Sequence, residues 1–231
     1  MKRVVVFTGA GVSADSGIST FRDADGLWEN YRIEDVCTAE AIVRDRDLVI
    51  DFYNERRRDL LSKKPNAAHE ALVGLEKYFD VQIITQNVDD LHERAGSSNV
   101  LHLHGELTKL RSSYNETATV PITGWEQDKT ARHPDGSLLR PYIVFFGEGV
   151  PNFPKACQIA STAEICIVIG TSFNVYPAAS LLEYVPENAK IYVVDPGEPN
   201  FGPYINRVEW IKARAAVGVP QLCEKLENLK I

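Results

Sequence analysis

Five short apolar runs, at residues 4–7, 81–85, 143–146, 165–169 and 191–194, occur along the chain without strict alternation of apolar and polar positions. A strand with one wet face alternates, whereas continuous runs this short fit strands covered on both faces. Helix-like stretches separate several of the runs, which predicts an α/β fold with an open parallel sheet and ligands beyond the carboxyl ends of its strands. Two segments depart from that rhythm: 29–77 is helix-rich and 107–140 is polar and turn-rich. They are expected to form a smaller lobe inserted in one domain spanning 1–231, with 1–28, 78–106 and 141–231 forming the larger lobe. A cleft between lobes is a natural ligand site.

The chain has 231 residues, 44% of them hydrophobic and 25% charged, enough for a full core. A formal net charge of -7 argues against nucleic acid or an anionic membrane as a partner, since phosphate-rich surfaces select clustered Lys and Arg. Cys37, Cys157, Cys166 and Cys223 form no C-x-x-C pair, so neither a disulfide framework nor a thiolate zinc site is expected. No apolar run approaches the roughly 18 residues of a membrane span, and a cytoplasmic location is expected.

Directly after the first run, Gly9-Ala10-Gly11-Val12-Ser13-Ala14 fits G-x-G-x-x-G/A. Its small residues allow a tight turn and close approach of backbone amides to a pyrophosphate. On its own the hexapeptide fits a ligand-free turn equally well. After the second run come Gln86, Asn87 and Asp89, three polar side chains at the ligand-facing end of the sheet, which could also be turn formers. His102 and His104 alternate with Leu101 and Leu103, so a strand through them would put both imidazoles on one face, an arrangement that could equally serve a metal. On a predicted helix at 47–61, Val49, Phe52, Tyr53 and Leu60 form an apolar stripe. Arg56 falls on that face, three residues from Tyr53 and four from Phe52. An arginine there is expected to meet an anion or to snorkel, while Arg57 and Arg58 are expected to be solvated.

These motifs in this order resemble the sirtuin family, from Val4 to about Leu226, and the resemblance implies a Rossmann-like fold and NAD as cofactor. The segments Ser19-Thr20-Phe21-Arg22 and Asp25-Gly26-Leu27-Trp28 fit the family's loop over the cofactor, which implies that Phe21, Arg22 and Trp28 border it. Gly170-Thr171-Ser172 is similar to its phosphate- and ribose-side turn, and Ala215 to its last adenine-side position. Asp195 stands where the family usually has Asn against the adenosine ribose. A carboxylate there would repel a 2′-phosphate, which predicts NAD over NADP. By the same resemblance Asn87 and Asp89 hold the nicotinamide carboxamide and Gln86 borders the ribose. The Leu103-His104-Gly105-Glu106 match selects His104 as catalytic base, a task that suits an imidazole with an ordinary pKa of about 6.5.

The reaction thus implied is removal of an acyl group from lysine. The amide oxygen attacks the nicotinamide-bearing ribose carbon, nicotinamide leaves, His104 removes a ribose hydroxyl proton, and the acyl group migrates to give O-acyl-ADP-ribose. Residues 144–148 (Val144, Phe145, Phe146, Gly147 and Glu148) resemble the family's substrate loop, with Val175 on the other side, so an acylated protein segment would be held by strand addition. Tyr-x-x-Arg at Tyr53 and Arg56 resembles the subgroup that removes succinyl, malonyl or glutaryl groups. It implies a clamp for the distal carboxylate, with Ala39 and Ala41 leaving room and deacetylation alongside.

The resemblance breaks at the structural zinc. Residues 107–140 hold no cysteine, and Ser112 and Ser113 stand near the expected first pair. No metal is therefore expected, the lobe is expected to be held by packing around Trp125 and Tyr114, and a chelator is expected to leave activity unchanged. Two alternatives stay open: an ADP-ribosyltransferase or NAD hydrolase using the same pocket, and an NAD-sensing module without catalysis.

Overall fold

The computed structural model describes residues 1–19, 31–171, 178–197 and 202–229. Strands β1 (Arg3–Thr8), β2 (Asp80–Thr85), β3 (Val100–His102), β7 (Ile165–Ile169), β8 (Lys190–Val194) and β9 (Val208–Ile211) form one sheet in the order β3-β2-β1-β7-β8-β9, every pair parallel. The chain works outward from β1 in one direction, then returns to its other side with β7. The carboxyl ends of β1 and β7 therefore flank the point where strand order reverses, the place where an open α/β sheet leaves a crevice.

Both faces of this sheet are covered, which explains the unbroken apolar runs. Val4, Val6, Ile83 and Ile167 pack beneath α4 (Ala67–Leu75) and α7 (Ala215–Asn228), through Leu72, Leu75, Val219 and Leu222. Val5, Phe7, Cys166 and Val168 pack on the other face against α6 (Phe153–Ala160) and the 3₁₀ segment Ala178–Tyr184. Helix α4 starts where Asn66 accepts from the Ala68 amide, while His69 Nδ1 accepts from the Asn66 amide. Although α4 falls in the segment expected to be part of a small lobe, its apolar face lies on the parallel sheet.

A second sheet is antiparallel, with β4 (Gly105–Ser112) between β5 (Thr119–Pro121) and β6 (Leu139–Ile143). The run at 143–146, expected as a parallel strand, is thus corrected: strand structure ends at Ile143, and Val144–Phe146 continue as a loop. The apolar side chains of that run serve a third cluster, in which Ile143 and Phe145 meet Val36, Phe52 and Tyr53 from α1 (Ile33–Val36) and α3 (Arg46–Ser62). Helix α3 is capped by Asp45, which accepts from the Leu48 amide, and it stops shortly before Pro65, close to its predicted span. Between them lies α2 (Ala39–Arg44), capped by the Thr38 hydroxyl. Helix α5 (Leu91–Ala95) closes the loop after β2. No described helix is long and apolar enough to cross a membrane.

Beneath the crevice, His69 and His92 are buried with ring centroids 4.8 Å apart, and His92 Nε2 lies 3.2 Å from the Thr8 hydroxyl. Burial pushes His69 down to about 4 and His92 well below the ordinary histidine value. Both rings fold neutral, whereas the unfolded chain takes up protons below about 6.5. Their stabilisation is therefore complete above about pH 6.5 and is lost as pH falls towards the folded values. For His69 that loss is about 3 kcal/mol between pH 6.5 and 4. The melting temperature is expected to fall steeply over this window and less steeply in His69→Gln; parallel slopes in thermal denaturation would refute the assignment.

Candidate active site

Two turns meet where the sheet switches direction. After β1 the chain makes two single 3₁₀ turns, Ala10–Val12 and Ala14–Ser16, and after β7 it turns at Gly170, whose φ is +58°. The Gly9 amide donates to Ile169 O and the Gly11 amide to Gly170 O, each at 3.0 Å. A Cβ on Gly11 would sit 2.5 Å from the Gly170 Cα, and one on Gly9 2.8 Å from the Gly170 carbonyl oxygen. These glycines are thus required by turn-on-turn packing. Their amides are engaged within the protein, as are those of Val12 and Ser13, which donate to Gly9 O and Ala10 O.

The strand-end polar residues converge on this junction. Asn87 Nδ2 donates to Gly9 O and to Ser13 Oγ, both at 3.2 Å, and Ser13 Oγ donates to Asp89 Oδ2 at 3.0 Å. Both amide protons of Asn87 are thereby used, leaving Oδ1 as its acceptor. Asp89 is 7% exposed; burial raises its pKa, opposed by the Leu91 amide, the Ser13 hydroxyl and the field of His102. Gln86 Nε2 donates to Thr171 Oγ1 at 3.2 Å, tying the β2 end to the β7 end.

Strand β3 stops at His102, so the alternation that would put His102 and His104 on one face does not extend through His104. Each ring is instead held by a different carbonyl of the loop after β2: His104 Nδ1 by Gln86 O at 3.0 Å and His102 Nδ1 by Asn87 O at 2.9 Å. A carbonyl only accepts, so His104 Nδ1 carries the proton and Nε2 keeps its lone pair. Burial lowers the His104 pKa, partly offset by the Gln86 bond. The His104 carbonyl accepts from the Val144 amide at 2.9 Å, which places the base beside residues 144–147.

In that loop, the Val144, Phe145 and Phe146 amides are already spent on His104 O, Glu148 Oε2 and Cys37 O, respectively. Phe146 O also accepts from the Ala39 amide. Those three amides are therefore not open to a peptide, and Gly147, with φ +90°, follows them in the turn. Phe146 exposes 52% of its surface above it. Glu148 is fixed by Arg140 at 2.6 Å and Arg111 at 3.3 Å, partners that sequence reasoning missed because they lie on β6 and β4.

On α3, Tyr53 is buried, with its hydroxyl 3.5 Å from Cys37 Sγ, and burial pushes its pKa well up. The Arg56 guanidinium lies 5.7 Å from the ring centroids of both Phe52 and Tyr53, on the expected face. Arg57, expected to be solvated, is corrected: it is 2% exposed and donates to Leu107 O, Trp125 O and Asn54 Oδ1. This buried cation bridges α3 to the antiparallel sheet. Tyr114, expected to help hold that region, is 83% exposed and does not. At Ser112 the hydroxyl donates to Asp135 Oδ2 at 2.5 Å, lies 2.9 Å from Ser137 Oγ, and accepts from the amides of Tyr114 and Asn115. This knot joins β4 to the 133–137 turn.

Asp195, at the end of β8, is 7% exposed, and its Oδ1 accepts from the Gly197 amide. Ala215 opens α7, and the next amide, of Ala216, donates to Asp15, which also pairs with Arg214. Phe21, Arg22, Trp28, Ser172 and Val175 lie outside the described residues.

The Sir2 family profile matches residues 9–177, from the first glycine of the β1 turn to beyond the Gly170 turn. The chain belongs to the Sir2 family. A Sir2-family relative from Aggregatibacter actinomycetemcomitans, named NAD-dependent protein deacylase, is 58% identical over 198 residues, covering 86% of this chain and 94% of that protein. Another of the same name, from Vibrio vulnificus, is 45% identical over 237 residues, covering 97% and 94%. Among solved structures, a Sir2 homolog–NAD complex superimposes with a TM-score of 0.89 at 37% identity, covering 100% of this chain and 91% of that one. The six-stranded parallel sheet is the Rossmann-like sheet of the Sir2 fold. The groups at these strand ends that can accept hydrogen bonds are Asn87 Oδ1 and the carboxylates of Asp89 and Asp195.

Proposed function

We propose that the protein is an NAD-dependent protein-lysine deacylase, active on acetyl-lysine and on succinyl- or malonyl-lysine, working in the cytoplasm on acylated protein segments. The observation that carries this reading is the pairing of a base with a carboxamide site: His104, whose carbonyl holds the Val144 amide, keeps its Nε2 lone pair while its Nδ1 is fixed by the residue adjoining Asn87. NAD supplies a ribose carbon that becomes electrophilic as nicotinamide departs. Asn87 and Asp89 orient the carboxamide, Gln86 and Thr171 border the ribose, and Asp195 accepts from the adenosine ribose. His104 Nε2 takes the hydroxyl proton that frees the acyl group to migrate. Gly147 pairs with the substrate backbone, Phe146 packs beside the lysine stem, and Arg56 with Tyr53 receives a distal carboxylate.

In this reading a larger lobe carries the dinucleotide, a smaller one carries Tyr53 and Arg56, and the acyl group enters where α3 meets the substrate loop; the Tyr53–Phe145 ring contact at 5.7 Å supports that meeting. Mass spectrometry of matched acetyl- and succinyl-lysine peptides, with and without NAD, is the test. Loss of both acyl groups only with NAD, with acyl-ADP-ribose as product, is expected. NAD consumption with both peptides intact would move the assignment to ADP-ribosyl transfer or NAD hydrolysis.

A further inference from the structure

His102 takes no part in the reaction just described, yet it is 6% exposed, lies beneath the nicotinamide-side segment, and has an acceptor at each ring nitrogen. Asn87 O is 2.9 Å from Nδ1 and Glu93 Oε1 is 2.8 Å from Nε2. A carbonyl oxygen cannot donate, and neither can an ionised carboxylate, so only a ring with protons on both nitrogens satisfies both contacts. The Glu93 carboxylate, 40% exposed, sits at the outer end of this relay and the Asn87 peptide at the inner end.

We propose that the Glu93–His102 pair is a positioning device for nicotinamide: it holds His102 as an imidazolium that grips the Asn87 carbonyl and favours the ionised form of the neighbouring Asp89. The inference rests on the NAD reading of Asn87 and Asp89. Its physical content is twofold. A charged donor on Asn87 O fixes the peptide that carries both carboxamide ligands, and a charge-assisted bond is the stronger kind. The same cation joins the Leu91 amide and the Ser13 hydroxyl in opposing the desolvation that raises the Asp89 pKa, and a protonated Asp89 would lose an acceptor for the carboxamide NH₂. The charged and titratable groups facing His102 are Glu93 and His92 on α5, Asp89 on the intervening loop and Glu106 on β4. Burial disfavours the charged ring, but the Glu93 carboxylate, the Asn87 carbonyl and the field of Glu106 together outweigh it and raise the His102 pKa above the ordinary histidine value.

Two variants test the device. Glu93→Gln keeps an acceptor on Nε2 but removes the charge, and His102→Gln removes the imidazolium. Nicotinamide binding to protein loaded with ADP-ribose is measured by calorimetry from pH 6 to 9, alongside ADP-ribose affinity and nicotinamide inhibition of peptide deacetylation. In the wild type, nicotinamide affinity is expected to hold through neutral pH and to fall as His102 loses its proton. In Glu93→Gln the fall is expected at lower pH, and in His102→Gln affinity drops about tenfold without that titration, while ADP-ribose binding changes less than about twofold. Nicotinamide affinity with the wild-type pH dependence in Glu93→Gln, or an equal loss of ADP-ribose binding in both variants, would overturn the proposal by reducing the pair to a structural contact. A wild type that binds nicotinamide with the expected pH dependence but deacylates nothing would sink the reaction assignment and leave the positioning role standing.

Discussion

His104→Ala is expected to lower NAD-dependent deacetylation by about 10²- to 10⁴-fold, the usual worth of a positioned general base. Its Nδ1 is committed to Gln86 O, so the ring has one tautomer and one free lone pair, aimed without reorganisation. Because that lone pair acts on a ribose hydroxyl after nicotinamide has left, the loss should be divided unevenly. Exchange of labelled nicotinamide into NAD, which needs only the earlier step, should survive far better than acyl transfer. Equal loss of both in His104→Ala would place the ring in the first step. Burial also lowers the His104 pKa, so the base stays neutral to more acidic pH than a free imidazole. The acid limb of kcat/KM is expected below about pH 6.5, and its disappearance in His104→Gln would assign it to this ring.

The parallel strands were legible from the chain because burial on both faces leaves no polar interruption: the run at 165–169 is the whole of β7, and the other three central runs are extended by at most one residue at either end. The run at 143–146 misled for a related reason. Phe145 is buried under α3 rather than within a sheet, and an apolar run does not say which neighbour covers it. Arg57 was unreadable because α3 is covered on two sides. The stripe through Phe52 and Tyr53 faces α1 and the 144–147 loop, while Asn54 and Arg57, three residues apart, face Trp125, Gln127 and Leu107 across contacts 50 or more positions away. The polar residues of the junction stood out because their chemistry is local: Gln86, Asn87 and Asp89 fall together at one strand end. Glu93 and His102 share the same neighbourhood, but nothing in their spacing tells that two acceptors would bracket one ring.

Arg56→Met should separate the two acyl substrates. Methionine keeps the length of the stem that lies over Phe52 and Tyr53 and removes the only group that carries positive charge at that position. Succinyl- and malonyl-lysine end in a carboxylate that must leave water to pair with Arg56, and a bond between charged groups there would be worth about 1.5–3 kcal/mol. That corresponds to about 10- to 150-fold in kcat/KM for succinyl peptide. The acetyl group makes no such bond and should change by less than about threefold. Tyr53→Phe should cost less for the succinyl substrate, because the phenol is already turned to Cys37 Sγ at 3.5 Å and one neutral hydrogen bond is worth about 1 kcal/mol. Parallel loss of both activities in Arg56→Met, with an unchanged melting temperature, would show that the arginine organises α3 and the substrate loop rather than reading the acid. Retention of both would move the carboxylate's partner elsewhere in the cleft.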